Sequence, residues 1–260
     1  MIYYSDNKLY QFFRNCQKFK FSYGNIWELI YGDSEAEPKL LVLVIGVDNR
    51  CDMKQEEAEA YSRLQYLSKS STIPVVKVKF RIDQAEIDKV YFSDEENPFA
   101  EREILLEELR EIFGKHGLPV KSTSTKKYLN SKISSAYHEW QRNNLGENII
   151  VSDIDLWVVE SETTKAILEI KRSKIPIERW KPFEDDYPNF KLISKICKKA
   201  GLKFKIVYYH MGEEEQTESL DRPEDISTIK VFSVDFDVHT PMDSGRIVTL
   251  EEFIMSEEWI

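Results

Sequence analysis

From Leu40 to Val47 the chain reads Leu-Leu-Val-Leu-Val-Ile-Gly-Val, an unbroken apolar run of the length expected for a strand covered on both faces. Asp48-Asn49 follows with turn chemistry, and Gln55 to Leu67 suits a helix. Pro74-Val-Val-Lys-Val-Lys-Phe80 then alternates apolar with basic positions, as a half-buried strand does. Ile104, Leu105, Leu109, Ile112 and Phe113 recur at helical spacing. That spacing predicts an amphipathic helix over about 99–113, stopped by Gly114 and Gly117-Leu-Pro119. The stop sets an expected boundary: a mixed α/β accessory domain over 1–121 and a second domain over 122–260. No internal repeat, low-complexity tract or glycine-rich phosphate loop is visible in the first of these.

Beyond the boundary, Lys126 to Asn144 has a helical pattern with Leu129, Ile133, Ala136 and Trp140 on its apolar face and Glu139 beside it. Ile149-Ile-Val151 and Ile154-Asp-Leu-Trp-Val-Val159 read as extended. Ser161-Glu-Thr-Thr164 reads as a turn and Lys165-Ala-Ile-Leu-Glu-Ile-Lys171 as the returning strand of an antiparallel hairpin. A helix over about 190–200 ends at Gly201, and Lys203-Phe-Lys-Ile-Val-Tyr-Tyr209 is a further strand. The acidic stretch Glu213 to Glu218, a strand at Ile229 to Phe236 and a helix opened by the capping box Thr249-x-x-Glu252 complete the pattern.

Composition narrows the class. The 260 residues are 42% hydrophobic and 32% charged, the balance of a folded chain. Leu40–Val47 falls far short of the roughly 20 residues that span a bilayer, and the first residues lack a basic-then-apolar leader, so the chain reads as cytoplasmic with no membrane partner. Cys16, Cys51 and Cys197 are odd in number and far apart, which argues for reduced thiols. A net charge of -10 argues against a polyanion partner until it is divided along the chain. Residues 1–121 carry 17 basic against 21 acidic side chains, 122–210 carry 16 against 11, and 211–260 carry 3 against 14. The basic segment contains the hairpin.

Strand side chains alternate faces, so Glu169 and Lys171 emerge together and, across a hairpin, can meet Asp155. Two carboxylates among apolar neighbours are costly unless paired or bound to a cation. A hard divalent ion, Mg²⁺ or Mn²⁺, satisfies them and keeps positions open for a phosphate oxygen and water. Such an ion with an adjacent lysine is the equipment for phosphodiester hydrolysis. A Glu-x-Lys on a strand also occurs as a plain surface ion pair; the upstream Asp155, the apolar hairpin and the basic helix downstream favour the site. His138 has no second histidine one helical turn away, which argues against a zinc protease helix.

Asp155, a short hairpin, then Glu169-Ile170-Lys171 resembles the motif of the PD-(D/E)XK nuclease superfamily, which includes restriction endonucleases and Holliday junction resolvases. The resemblance covers about residues 122–210. It implies an α/β fold with a restriction endonuclease-like core: a helix, a hairpin or meander, a helix and a strand around one mixed sheet. It implies that Asp155, Glu169 and the Ile170 carbonyl hold Mg²⁺, with Mn²⁺ as a substitute, while Lys171 serves the attacking water. Glu139 matches the glutamate that several members carry on the helix before the hairpin. The residue before Asp155 is Ile154 where the family name has proline, which leaves Asp153 as a rival ligand. The implied partner is nucleic acid, DNA over RNA, contacted by Arg172, Lys174, Lys191 and Lys195. The implied activity is a DNA endonuclease of restriction or defence type, with a homodimer supplying two sites for two strands. A catalytically silent nuclease fold that binds nucleic acid or protein is the alternative.

Overall fold

In the computed structural model the described residues are 7–22, 24–48, 54–98, 100–121, 123, 135–161, 163–211, 224–237 and 242–255. They form a mixed α/β architecture with two six-stranded mixed sheets. Contacts divide the chain into one unit built on Ser22–Asp153 and another built on Tyr4–Phe21 with Ile154–Ile260. The expected division at 121/122 differs from this. The helix before the hairpin falls in the first unit, and an N-terminal segment joins the second.

The first unit has sheet order β6-β5-β4-β3-β2-β7. Its hairpin is β2 (Ile26–Gly32) and β3 (Pro38–Val47). The apolar run of β3 is buried from Leu40 to Ile45, as a strand covered on both faces requires. α2 (Lys54–Ser71) crosses over to β4 (Val75–Arg81), parallel to β3. β5 (Lys89–Asp94) and β6 (Arg102–Leu105) then add antiparallel. The helix expected over 99–113 begins later, as α3 (Leu106–Lys115). Ile104 is buried from an edge strand and Leu105 is largely exposed, so their helical spacing to Leu109 was coincidental. α4 (Ala136–Asn144) and β7 (Ile150–Asp153) complete this unit, with β7 antiparallel to β2. Of the longer helix expected from Lys126, residues 124–134 lie outside the described set, and the face of α4 that is buried carries Tyr137 and Gln141. Tyr137 and Tyr31 share a hydrogen bond of 2.9 Å, and Tyr31 donates to Gln141 Oε1 at 2.6 Å. Leu29, Val42, Val78, Phe113 and Tyr137 belong to one core on this face.

The second unit has sheet order β1-β8-β9-β10-β11-β12. β1 (Phe19–Lys20) follows α1 (Lys8–Phe13) and pairs antiparallel with β8 (Leu156–Glu160). β8 and β9 (Thr163–Ser173) form the predicted antiparallel hairpin. α5 (Tyr187–Ala200) ends at Gly201, whose φ of 69° is the left-handed conformation that glycine adopts without strain. It leads into β10 (Lys203–Met211), parallel to β9. β11 (Glu224–Ser233), β12 (Arg246–Thr249) and α6 (Leu250–Met255) follow. The capping box is present: Thr249 Oγ1 accepts from the Glu252 N–H at 3.1 Å while Glu252 accepts from the Thr249 N–H at 2.8 Å. One face of this sheet, with Leu156, Leu168, Ile170, Val207 and Ile229, packs with Leu9 and Phe13 of α1 and Phe253 of α6. The other face carries Glu169 and Lys171 towards α5.

Candidate functional site

Strand alternation and hairpin register together assemble the motif in the second unit. Leu156 pairs with Leu168, so the next position along each strand sets Asp155 beside Glu169. Asp155 and Glu169 are both buried, at 9% and 7% exposure. The carboxylate of Asp155 accepts from the Ile170 backbone N–H at 2.7 Å. This bond ties the aspartate to the peptide that joins Glu169 to Ile170. Two residues on, Lys171 Nζ lies 2.9 Å from Glu169 Oε1. Asp155, Glu169, Ile170 and Lys171 are thus brought together.

A residue outside the motif joins them. Asp186 occupies the N-cap position of α5 but makes no side-chain cap bond. Its carboxylate instead lies 3.5 Å from Lys171 Nζ, and the ammonium sits 5.4 Å from the centre of the Phe190 ring. Burial by itself pushes the Lys171 ammonium towards neutrality; the carboxylates of Glu169, Asp186 and Asp155 together outweigh it and hold its pKa above that of an ordinary lysine. Lys171 is therefore a fixed cation. The sequence signal for Asp186 was the acidic triplet Glu184-Asp185-Asp186 immediately before a helix, which reads by default as favourable charge at a helix N-terminus.

The connection from β9 to α5 is held to the sheet from two sides. The Trp180 ring stacks on Tyr208 at 4.2 Å between centroids, and Tyr208 is the β10 residue paired with Lys171. Tyr208 donates its hydroxyl proton towards the Ser173 carbonyl at 3.0 Å and also meets that of Ile175. Lys230 of β11, buried at 4% exposure, donates to the carbonyls of Trp180 at 3.0 Å and Glu178 at 3.2 Å. Trp180 is therefore a packing residue here, and Phe183 is the exposed aromatic of the segment.

The other sequence candidates are distributed differently. Asp153, the rival ligand, ends β7, exposed and paired with Leu29 in the first unit's sheet, whereas Asp155 lies just before β8 in the second unit. Glu139 is exposed on α4 of the first unit, and α4 is not the helix that packs with the sheet bearing Asp155. α1 occupies that place, and its residues Lys-Leu-Tyr-Gln-Phe-Phe include no acid. His138 is also in the first unit. Its Nδ1 is 2.7 Å from Ser135 Oγ, and burial, with Arg142 nearby, depresses its pKa to about 4. Arg172 and Lys174 flank the motif on β9 and beyond it, while Lys191 and Lys195 lie half-buried on α5. The acidic stretch Glu213–Glu218 lies outside the described residues.

No group of three or more His, Cys, Asp or Glu suited to a metal occurs among the described residues. A cation here would rest on two carboxylates and a peptide carbonyl, and would complete its shell with water and substrate oxygens. That donor set is all oxygen, which suits Mg²⁺ or Mn²⁺, ions that ordinarily retain several waters. Among the described residues no helix is long and apolar enough to cross a membrane.

No protein-family model matches the chain, and no curated protein does. Among solved structures, the crystal structure of a sex pheromone staph-cAM373 precursor aligns over 85% of this chain and 73% of its own at 8% identity, with a TM-score of 0.16. A score that low carries no argument about fold or function.

Proposed function

We propose that the chain is a Mg²⁺-dependent nuclease that hydrolyses phosphodiester bonds in DNA. The observation that carries this reading is the meeting of Asp155 with the Glu169-Ile170-Lys171 triplet through a 2.7 Å hydrogen bond, beside a 2.9 Å ion pair. In support, hairpin β8–β9, helix α5 and parallel strand β10 follow one another along the chain as in the core that the PD-(D/E)XK resemblance implies, while the helix packed with that sheet is α1 and not the preceding α4.

In this reading Asp155, Glu169 and the Ile170 carbonyl hold the cation. When bound, the ion polarises the phosphoryl group and acidifies a water molecule. Glu169, now paired with Lys171, would supply a carboxylate oxygen to that ion, with Asp186 as the second counterion of the ammonium. Lys171, protonated throughout the neutral range, would orient the attacking water by donating a hydrogen bond to its oxygen and would stabilise charge developing on the phosphoryl oxygens. Arg172, Lys174, Lys191 and Lys195 contact the substrate backbone, which positions the nucleic acid without reading its sequence.

The test is a cleavage assay over supercoiled plasmid, linear duplex, single-stranded DNA and RNA, with Mg²⁺ or Mn²⁺. The expected result is divalent-dependent cleavage of DNA that disappears in a folded Glu169→Ala protein. DNA binding without cleavage of any substrate would favour the silent-fold alternative.

A further inference from the structure

Among the described residues, a 3-10 turn at Glu184–Asp186 aside, the same nine α-helices and strands occur twice in the same order. α1-β1-β2-β3-α2-β4-β5-β6-α3 is followed by α4-β7-β8-β9-α5-β10-β11-β12-α6. The strand directions agree as well. Each run contains an antiparallel hairpin, a helical crossover to a parallel strand, and two antiparallel additions. In each unit the crossover helix lies on one face of the sheet. The leading and trailing helices share the opposite core, α3 and α4 in one unit and α1 and α6 in the other.

The leading arms depart from simple tandem order. β1, from the first run, pairs with β8 of the second. β7, from the second run, pairs with β2 of the first. Both pairings are antiparallel, and each arm's helix goes with its strand. Every element of one unit has its counterpart in the other once the two arms are exchanged.

The two units can be aligned residue by residue near the site. Phe204 and Val75 each lie four positions past the end of their crossover helices, and they pair with Ile167 and Leu41. Two positions further along, Glu169 corresponds to Leu43, and two more bring Lys171 to Ile45. Leu43 pairs across its hairpin with Glu28, which therefore stands where Asp155 stands beside Glu169. A two-residue shift of this alignment either way would still leave Glu169 without an acidic counterpart, because β3 contains no acidic residue, but only the register given sets Glu28 opposite that position. Glu28 keeps a carboxylate at the corresponding place, but it is buried at 1% exposure and engaged by Arg63 of α2 and by Ser22.

We propose that the chain is a fused pair of copies of one αβββαβββα unit whose leading helix-strand arms have changed places, and that only the second copy retains a cation-binding centre. The second clause rests on the nuclease reading above. It gives one hydrolytic centre per chain, so cutting both strands of a duplex needs two chains or two successive visits. It also makes each sheet depend on a strand from the far half of the sequence.

Counting bound Mn²⁺ by electron paramagnetic resonance on the full chain tests this without requiring cleavage. Asp155→Asn should lower the count by one, with melting behaviour used to verify the fold, and Glu28→Gln should leave it unchanged. Should Glu28→Gln fail to fold, Glu28→Gln with Arg63→Met removes both charges together. Loss of one Mn²⁺ from a folded variant at Glu28 would overturn the proposal, as would an undiminished count in Asp155→Asn beside a bound ion in wild type. No Mn²⁺ bound by wild type at all would sink the nuclease reading itself, and with it the claim that the second copy is live, while leaving the duplicated topology as observed.

Discussion

The β3 and β9 strands stand in the same place in two like-threaded sheets, and their sequences send them to opposite ends. In β3 the residues facing α2 are Leu41, Leu43 and Ile45, so that face is sealed by apolar packing. In β9 the residues facing α5 are Ile167, Glu169 and Lys171, so charge is carried into a largely buried setting. The first unit has charge on this face too, but all of it that is described is paired. Lys77 and Lys79 both bridge Glu57 and Glu101 at 2.7–3.0 Å, and Arg63 closes on Glu28. Charges closed in this way have their countercharge within the fold, which offsets the cost of burying them. In the second unit Asp155 is tied to a backbone N–H and Glu169 shares Lys171 with Asp186; the cation that the proposed nuclease reading assigns to Asp155 and Glu169 is what would set the two units apart.

The largest expected effect breaks the second site directly. Glu169→Ala and Lys171→Ala should each lower the cleavage rate by roughly 10²–10⁴-fold, the usual range for loss of a group acting on the reacting atoms. Single-turnover rates at saturating Mg²⁺, with circular dichroism as the fold control, provide the measurement. A folded Lys171→Ala that cleaves at the wild-type rate would remove Lys171 from the mechanism.

Next in size are the exchanged arms. Phe13 is fully buried, 4.2 Å from Phe19 and 6.3 Å from Phe253 between ring centroids. Phe13→Ala should cost about 3–5 kcal/mol and, by hydrogen-exchange mass spectrometry, release protection first in β8–β11, although residue 13 lies far away in sequence. Tyr137→Ala should first release β2–β4. The reverse assignment would break the comparison between the units.

Acid should separate them further. Folded His138 resists protonation down to about pH 4, against an ordinary value of 6.5. Between these values the unfolded chain binds a proton that the folded chain refuses. Stability is therefore fully present above pH 6.5 and is lost as pH falls towards 4, by up to ~3 kcal/mol for the first unit. Urea midpoints measured from pH 7 to 4 should show that slope, and His138→Gln should flatten it.

The smallest effect sharpens the role of α1. Asn7 caps it, its side chain accepting from the Leu9 N–H at 3.0 Å and the Tyr10 N–H at 3.3 Å. Asn7→Ala should cost about 1 kcal/mol, again read as earlier exchange in the second unit.

Much of the second unit was legible in sequence because its signals are local. The hairpin, α5 with its Gly201 stop, β10 and the Thr249–Glu252 box each depend on residues a few positions apart. What escaped depends on distant partners. β1 is two residues long and is a strand only because Val158 and Trp157 lie beside it. Residues 149–151 and 154–159 both read as extended, yet the chain changes sheets between Asp153 and Ile154, where no Gly or Pro marks the switch. The duplicated order was invisible for a similar reason: topology survives replacement of Glu169 by a leucine equivalent, whereas sequence similarity does not. The motif residues were found because strand alternation dictates the Glu169–Lys171 pairing; Asp186 was not, because its role is set by the fold of the connection that precedes α5.

The most direct test runs the plasmid cleavage assay on Asp155→Asn and on Glu28→Gln with Arg63→Met, side by side under Mg²⁺. The account predicts that the first loses cleavage and the second retains the wild-type rate, both proteins being folded. Cleavage that persists in Asp155→Asn, or that is lost equally in both, would contradict it.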